Sequence, residues 1–149
     1  MPDRRSLTYS SAADVIADVE RLRGGCDGCG QWTLAKACWH VNQGMSRSLK
    51  GLRTPNTPDQ DAARPRLENV LATGQIPSGI KAPDTMEPPV DVPDSAIDDF
   101  LATLRQFDAH PGPFSTHRLF GNLTDDQMRR INLIHAAHHL SHFVPKGDR

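Results

Sequence analysis

The sequence predicts an all-α protein, a four-helix bundle with one long crossover between its second and third helices. Apolar side chains recur at the helical spacing of 3.6 residues in four segments. No alternating pattern typical of a β-strand competes with them. Eight of the twelve prolines fall within residues 51–93, which separate the second segment from the third. Four helices paired by short loops, with one long connection, are typical of such a bundle, and we expect one domain over residues 1–149.

The first two helices are predicted from apolar spacing and from residues that cap their ends. Helix one is expected over about residues 11–23, where Ser11 with Asp14 resembles a capping box and two glycines follow. Helix two is expected over about residues 33–50, with Thr33 as its N-cap and prolines beyond its end. Its apolar stripe consists of Leu34, Cys38, Val41, Met45, Leu49 and Leu52.

The crossover over residues 51–93 is expected to be mostly irregular, with helical character only around Leu67, after Pro65. A connection of that length is unusual in a compact domain, so it either covers a site or spans the molecule. The third helix is expected to begin after residues 91–95 and to end at His110.

The fourth helix is expected to run from Thr124, which forms a capping-box pattern with Gln127, to about Phe143. Its second half carries four histidines in the same helical sector as Met128 and Ile131: His135, His138, His139 and His142. A buried imidazole must satisfy both ring nitrogens, so four of them facing the core indicate a metal, partner side chains or water. The alternative is a set of metal-free structural histidines, in a bundle that dimerises.

Helical spacing alone leaves the choice of ligands open. His135 with His139 and His138 with His142 are both i, i+4 pairs, in which two imidazoles can hold one ion. The run HAAHH lacks the glutamate of the H-E-x-x-H pattern, which argues against a metallopeptidase. His40 lies on the flank of the second helix's apolar stripe, beside small residues, and suits a third ligand of a metal with open coordination sites.

The remaining reactive side chains have simpler explanations. Cys26 and Cys29 form a C-x-x-C between the first two helices, a candidate redox or metal-binding pair, against the alternative of free loop thiols. Cys38 is predicted to be a small buried hydrophobic residue. Asp98 and Asp99 at the start of helix three are explained by the helix dipole, so neither is expected to be a catalytic base.

Composition limits the classes of partner. Seventeen basic and eighteen acidic side chains give a net charge of -1, without a basic run, so nucleic acid is not expected as a ligand. No apolar stretch is long enough to cross a bilayer and no secretory pattern is present, so we expect a cytoplasmic protein without a membrane partner.

The chain resembles the DinB/YfiT-like superfamily, whose members are four-helix bundles of up-down-down-up topology. The resemblance rests on QWTLAKACWHVNQG at the second helix, on the long crossover and on the H-x3-H of HAAHHLSHF. Within the superfamily, HRLFGNLTDDQMRRINLIHAAHHLSHF is similar to a branch of uncharacterised bacterial proteins with an HPxFGxLT-type loop and an HxxHHLxxF ending. His117-Arg118 departs from that pattern, because the branch more often has His-Pro there.

The resemblance implies a divalent metal held by one histidine of the second helix and two of the last, which here fall on His40, His135 and His139. Histidine-rich ligation suits zinc, nickel or iron. Three of the four remaining histidines then become candidates for orienting the ligands or facing the substrate, and these are His138, His142 and His117.

Characterised members of the superfamily include transferases and isomerases that depend on low-molecular-weight thiols. The resemblance therefore implies a metal-dependent enzyme that activates a thiol or water for transfer or hydrolysis on a small substrate. The alternative is a non-catalytic metal-binding or stress-related module, in which the histidines are structural or sensory.

Overall fold

The computed structural model describes residues 4–77 and 86–147, and within these ranges the chain forms six helices and two short strands. The helices are α1 (Ala12–Arg23), α2 (Leu34–Ser48), α3 (Pro58–Ala62), α4 (Arg64–Thr73), α5 (Ser95–Ala109) and α6 (Asp125–Leu140). The strands are β1 (Cys26–Gly28) and β2 (Phe143–Pro145). Across the described ranges, none of the helices combines the length and the apolar character needed to cross a bilayer.

The four longest helices pack against one another around one apolar core. α5 contacts both α1 and α2, and α6 contacts the same two helices. The fully buried side chains of this core come from all four helices and include Val15, Leu22, Val41, Met45, Phe100, Leu104, Phe107, Met128 and Leu140. Burying one such side chain contributes roughly 1.5–3 kcal/mol relative to leaving it exposed. The core therefore holds α2 and α6 side by side, which decides where their histidines meet.

The helices begin where the predicted capping residues lie. Ser11 and Thr33 each accept a hydrogen bond from the backbone N–H three residues further on, as expected for N-caps. Thr124 and Gln127 form a complete capping box, in which each side chain bonds to the other's backbone N–H. The three N-cap predictions are confirmed because a capping bond joins residues only three apart and is independent of the rest of the fold. The capping box expected of Ser11 with Asp14 is present only in its first half, since the Asp14 carboxylate accepts from the N–H of Ser10.

The small antiparallel sheet is absent from the sequence prediction. In it Cys26 lies opposite Pro145 and Gly28 lies opposite Phe143. The expectation that the C-x-x-C lies wholly in a loop is therefore wrong, and α6 ends at Leu140 rather than near Phe143 because the chain turns into β2. Strands of three residues are too short to show an alternating pattern, so only the pairing reveals them.

The crossover contains more helix than its prolines suggested. α3 begins at Pro58 behind a capping box formed by Thr57 and Gln60, and α4 packs against α6. Proline fits the first turn of a helix, where its missing N–H would have no partner in any case. Leu52, expected on the apolar stripe of the second helix, is 63% exposed because α2 ends at Ser48.

A buried ion pair joins the segment before α1 to α1 itself. Arg5 donates through Nη1 and Nη2 to both carboxylate oxygens of Asp18, at 2.8 and 2.9 Å, and the Tyr9 hydroxyl donates to the same carboxylate. Burial alone would raise the pKa of Asp18, but the hydrogen bonds from Arg5 and Tyr9 and the charge of Arg5 outweigh it and lower that pKa. Arg5 also donates to the Leu140 carbonyl at 3.0 Å, beside the histidines of α6.

Candidate metal centre

Three histidine ring nitrogens converge between α2 and α6. His135 Nε2 lies 3.2 Å from His40 Nε2 and 3.1 Å from His139 Nε2. One ring nitrogen from each of the three lies within 4.8 Å of those of the other two. Two nitrogens that bind one ion at about 2.0–2.1 Å with a tetrahedral angle lie about 3.3 Å apart. His40, His135 and His139 therefore lie close enough to hold a metal ion.

The local helical structure explains this convergence only in part. His135 and His139 are one turn apart on α6 and so share a face, while His40 comes from α2, which packs against α6. His40 is buried at 3% exposure, deeper than its predicted flank position indicated. The α6 histidines are half-buried, because the small side chains of Ala136 and Ala137 take the core positions between them. These histidines therefore lie at the edge of the core, and the rings of His135 and His139 point between α2 and α6.

The crossover orients the first of these rings. His40 Nδ1–H donates to the backbone carbonyl of Met86 at 2.7 Å, which leaves the lone pair of Nε2 directed at the other two histidines. A carbonyl cannot donate, so this bond sets the tautomer of His40. The crossover thus covers the site, which was one of the two roles expected of it.

The environment keeps the three rings neutral. Burial lowers the pKa of each one, bringing that of His135 to about 3, and the neighbouring histidines lower the pKa values of His135 and His139 further. Neutral imidazole is the form that binds metal. Without a metal, His135 Nε2 could donate one proton at most, although it faces the Nε2 atoms of both His40 and His139. A bound ion would instead accept the lone pairs of all three nitrogens. The donor set therefore fits a divalent metal.

Trp32, in the turn before α2, lies against two of the three rings. Its ring is stacked on that of His139, with centroids 5.4 Å apart, and its centroid lies 5.0 Å from that of His40. This contact restricts the rotation of both imidazoles and places an apolar surface beside them. The sequence resemblance included this tryptophan as part of a motif but assigned it no role at the site.

A cavity of about 550 Å³ adjoins the three histidines. Its walls come from α2, α6, the crossover and the loop before α6. From that loop, residues 115–120 line the cavity. Pockets for small molecules have volumes of roughly 300–1,000 Å³. The cavity is therefore large enough for a small-molecule ligand with one end at the histidines.

His138 also lines this cavity, and Arg4 determines its tautomer. Arg4 Nη2 lies 2.9 Å from His138 Nδ1, and since a guanidinium can only donate, Nδ1 accepts and the proton lies on Nε2. Burial and the charge of Arg4 lower the pKa of His138 to about 4. His138 is thus a neutral N–H donor at the pocket and lies apart from the converging nitrogens.

His142 contacts Cys29 of the C-x-x-C, and neither residue is among those that line the cavity. Cys29 Sγ donates to the His142 carbonyl at 3.1 Å and lies 3.6 Å from its Nδ1. Cys26 and Cys29 are half-buried free thiols, and burial raises the pKa of Cys26. Among the residues that the structure describes, neither thiol belongs to the group close enough to hold an ion. A redox role for the pair stays a prediction.

The loop before α6 brings His117 into the cavity wall. Its Nδ1 accepts hydrogen bonds from the backbone N–H groups of Leu119 and Phe120, at 3.1 and 3.2 Å, so its proton lies on Nε2. The backbones of His117 and Gly121 also exchange two hydrogen bonds, of 2.8 and 3.0 Å. Burial and the charge of Arg47 lower the pKa of His117 to about 4. His117 is therefore a second neutral N–H donor at this pocket.

The arginines of this site were not expected from the sequence. Arg4, Arg47 and Arg118 were assigned no role, although Arg47 and Arg118 line the cavity and Arg4 contacts His138. One pattern could have indicated Arg47, because it lies seven residues after His40 and so shares its helical face. The positions of Arg4 and Arg118 depend on the chain path outside the helices.

Comparison with known proteins gives one match. A family described as a protein of unknown function, DUF1569, matches residues 1–146. Neither the curated proteins nor the solved structures contain a match to the chain. Because the matched residues span nearly the whole sequence, including all three converging histidines, the chain belongs to the DUF1569 family.

Proposed function

We propose that the protein is a metal-dependent enzyme of the DinB-like class, with α1, α2, α5 and α6 as the four helices of a DinB-like bundle. His40, His135 and His139 hold the divalent ion, for which zinc, nickel and iron are suitable, and the substrate is a small molecule bound in the adjoining cavity. The observation that carries this proposal is the convergence of three neutral imidazole nitrogens beside a cavity of about 550 Å³.

The bound ion supplies Lewis acidity: three neutral ligands leave its double charge intact, so it lowers the pKa of a thiol or water beside it. The chain's own groups supply orientation. The Met86 carbonyl holds the His40 ring, and Trp32 packs on His139. The neutral Nε2–H of His138 is suited to donating a hydrogen bond to an oxygen of the substrate.

The cavity favours an enzyme over a structural or sensory site. A structural zinc ion is normally enclosed by four protein ligands, whereas a catalytic one has three and an open position. Within the described residues the converging group has three members, and it borders a cavity rather than a packed core. The resemblance to the DinB-like superfamily implies that a low-molecular-weight thiol is the co-substrate.

Metal content tests the proposal directly. The protein is purified without a histidine tag and its metal is measured by elemental analysis, beside the variants His40→Ala, His135→Ala and His139→Ala. We expect about one ion per chain in the wild type and far less in each variant, because the loss of even an outer-shell partner typically weakens metal affinity about 10–100-fold. His110→Ala is the matched control, because His110 bonds to the Pro113 carbonyl away from the cavity. Near-stoichiometric metal in all three ligand variants would refute the assigned ligands.

A second measurement separates catalysis from structure. Removal of a structural ion lowers the melting temperature by many degrees, whereas removal of an ion from an open catalytic site lowers the melting temperature less. The metal-loaded protein is then screened for transfer of candidate low-molecular-weight thiols to small electrophiles. Metal binding with a large loss of melting temperature on chelation and no turnover would support the structural or sensory alternative.

A further inference from the structure

One face of α2 joins the histidines to a positively charged wall of the cavity. Arg47 lies seven residues after His40, so the two side chains leave the same helical face about 10 Å apart along the axis. Gly44 lies between them and has no side chain to fill the space. A Cβ at Gly44 would meet only the methyl group of Met86, at 3.6 Å. The cavity is therefore continuous along α2 from His40 to Arg47.

The Arg47 side chain is held in place by the loop before α6. Its Nη1 donates to the Thr116 carbonyl at 2.8 Å, and the residue is half-buried. Within the described ranges this is the hydrogen bond that its guanidinium makes, so N–H donors remain for a ligand. A neutral carbonyl does not neutralise the charge of the guanidinium.

Two further donors line the same wall. His117 presents the ring whose proton lies on Nε2, and Arg118 follows it in the loop. Burial and the charge of Arg118 lower the pKa of Arg47, and burial and the charge of Arg47 lower that of His117. Among the described residues, the charges that shift these two pKa values are thus positive, while the carboxylate of Glu87 acts at the other end of the cavity, on His40.

Arg47 and His117 are half-buried, while Arg118 lines the cavity with an exposed side chain. The like charges of Arg47 and Arg118 repel each other, and a bound anion relieves that repulsion. Guanidinium groups bind carboxylate and phosphate oxygens through paired N–H donors. We infer that Arg47, Arg118 and His117 form a subsite for an anionic group, a carboxylate or a phosphate, carried by the molecule that reaches the three histidines. This inference rests on the proposed function for the assignment of that molecule as a substrate.

Anion binding by the full chain, before and after metal removal, tests the subsite. The probes are inorganic phosphate and succinate, with succinamide as the uncharged analogue of succinate, and affinities are measured by calorimetry. We expect the wild type to bind at least one of the anions and to bind succinamide at least tenfold more weakly than succinate if the carboxylate is the group recognised. Phosphate binding without succinate binding would identify a phosphate subsite.

Variants assign the binding to this wall. We expect Arg47→Gln and Arg118→Gln to bind the preferred anion at least tenfold more weakly, and Arg105→Gln, an exposed position on α5 outside the cavity, to bind it as the wild type does. Wild-type affinity in both cavity variants, or no anion binding by the wild type, would overturn the inference. If Arg47→Gln fails to fold because its bond to Thr116 is lost, Arg118→Gln alone decides.

Metal content is measured in the same samples, so the two proposals fail separately. His135→Ala is expected to lose the metal and keep the anion, whereas Arg47→Gln is expected to keep the metal and lose the anion. Anion binding by a wild type that holds no metal as purified and takes up none on titration with divalent ions would refute the proposed function while leaving the anion subsite in place.

Discussion

Replacing Asp18 by asparagine tests whether the buried ion pair with Arg5 stabilises the fold. The side chains of Arg5 and Asp18 are only 16% and 8% exposed, so little solvent screens the pair. Removing one partner of a buried pair typically costs about 3–5 kcal/mol, because the other charge stays buried without compensation. Asparagine keeps the volume of aspartate and can still accept the bond from Tyr9, so we expect a cost of about 3 kcal/mol. For a chain of this size that lowers the melting temperature by roughly 6–12 °C.

The same variant has a defined pH dependence. Because the folded-state pKa of Asp18 lies below its unfolded value, the stabilisation is fully present above the unfolded pKa of about 3.9 and is lost as the pH falls through the folded pKa. Thermal unfolding followed by circular dichroism from pH 7 to pH 3 measures this. The difference in melting temperature between wild type and Asp18→Asn should be constant near neutral pH and shrink below about pH 4.

Asp98→Asn is the matched control for this prediction. Asp98 accepts from Arg23 at 2.6 Å, but the two side chains are 68% and 39% exposed, and an exposed pair contributes at most about 1 kcal/mol. An equal loss of stability in both variants, or an Asp18→Asn effect that persists unchanged in acid, would refute the reasoning.

Three further predictions concern the loop, the core and the site. Gly121→Ala should lower the melting temperature more than Gly74→Ala: both glycines have positive φ, but only at 121 would the added Cβ lie 2.6 Å from a side-chain oxygen of the crossover. In the native protein Cys38 should react with a thiol reagent far more slowly than Cys26 and Cys29, at the rate of unfolding. Cys38 is fully buried, and burial raises its pKa to about 12. Fast labelling of all three thiols would contradict this prediction. Titration with Co²⁺ should quench the fluorescence of Trp32, which packs on His139, so the change should be much smaller in Trp32→Phe than in Trp39→Phe.

The helical class could be predicted because its determinants are local. Apolar spacing over a dozen residues marks the segments of α1, α2, α5 and α6, and capping residues such as Thr33 and Thr124 act within one turn. Predictions failed where structure depends on distant partners. β1 exists because β2, more than a hundred residues later, lies beside it, and neither strand shows a pattern of its own.

Some features of the candidate metal centre likewise follow from local sequence, while others depend on contacts between distant residues. Helical periodicity alone determined that His135 and His139 share a face of one helix, and it placed His138 with His142 on equal terms. The long-range packing of α2 on α6 decided between the pairs, because it brings His40 Nε2 within 3.2 Å of His135. Arg4, far from α6 in sequence, bonds to the ring of His138, and this contact also follows only from the tertiary structure.

The sequence by itself thus determined which segments become the four long helices and which side chains of each share a face, since both depend on bonds and spacings within a few residues. Only the tertiary structure decided which faces meet, because that depends on how the apolar core closes. It also decided that the Met86 carbonyl orients His40, and that Arg47 and Arg118 share a cavity wall with the converging histidines. Contacts between residues far apart in the chain have no periodicity to mark them, and the candidate site is built from such contacts.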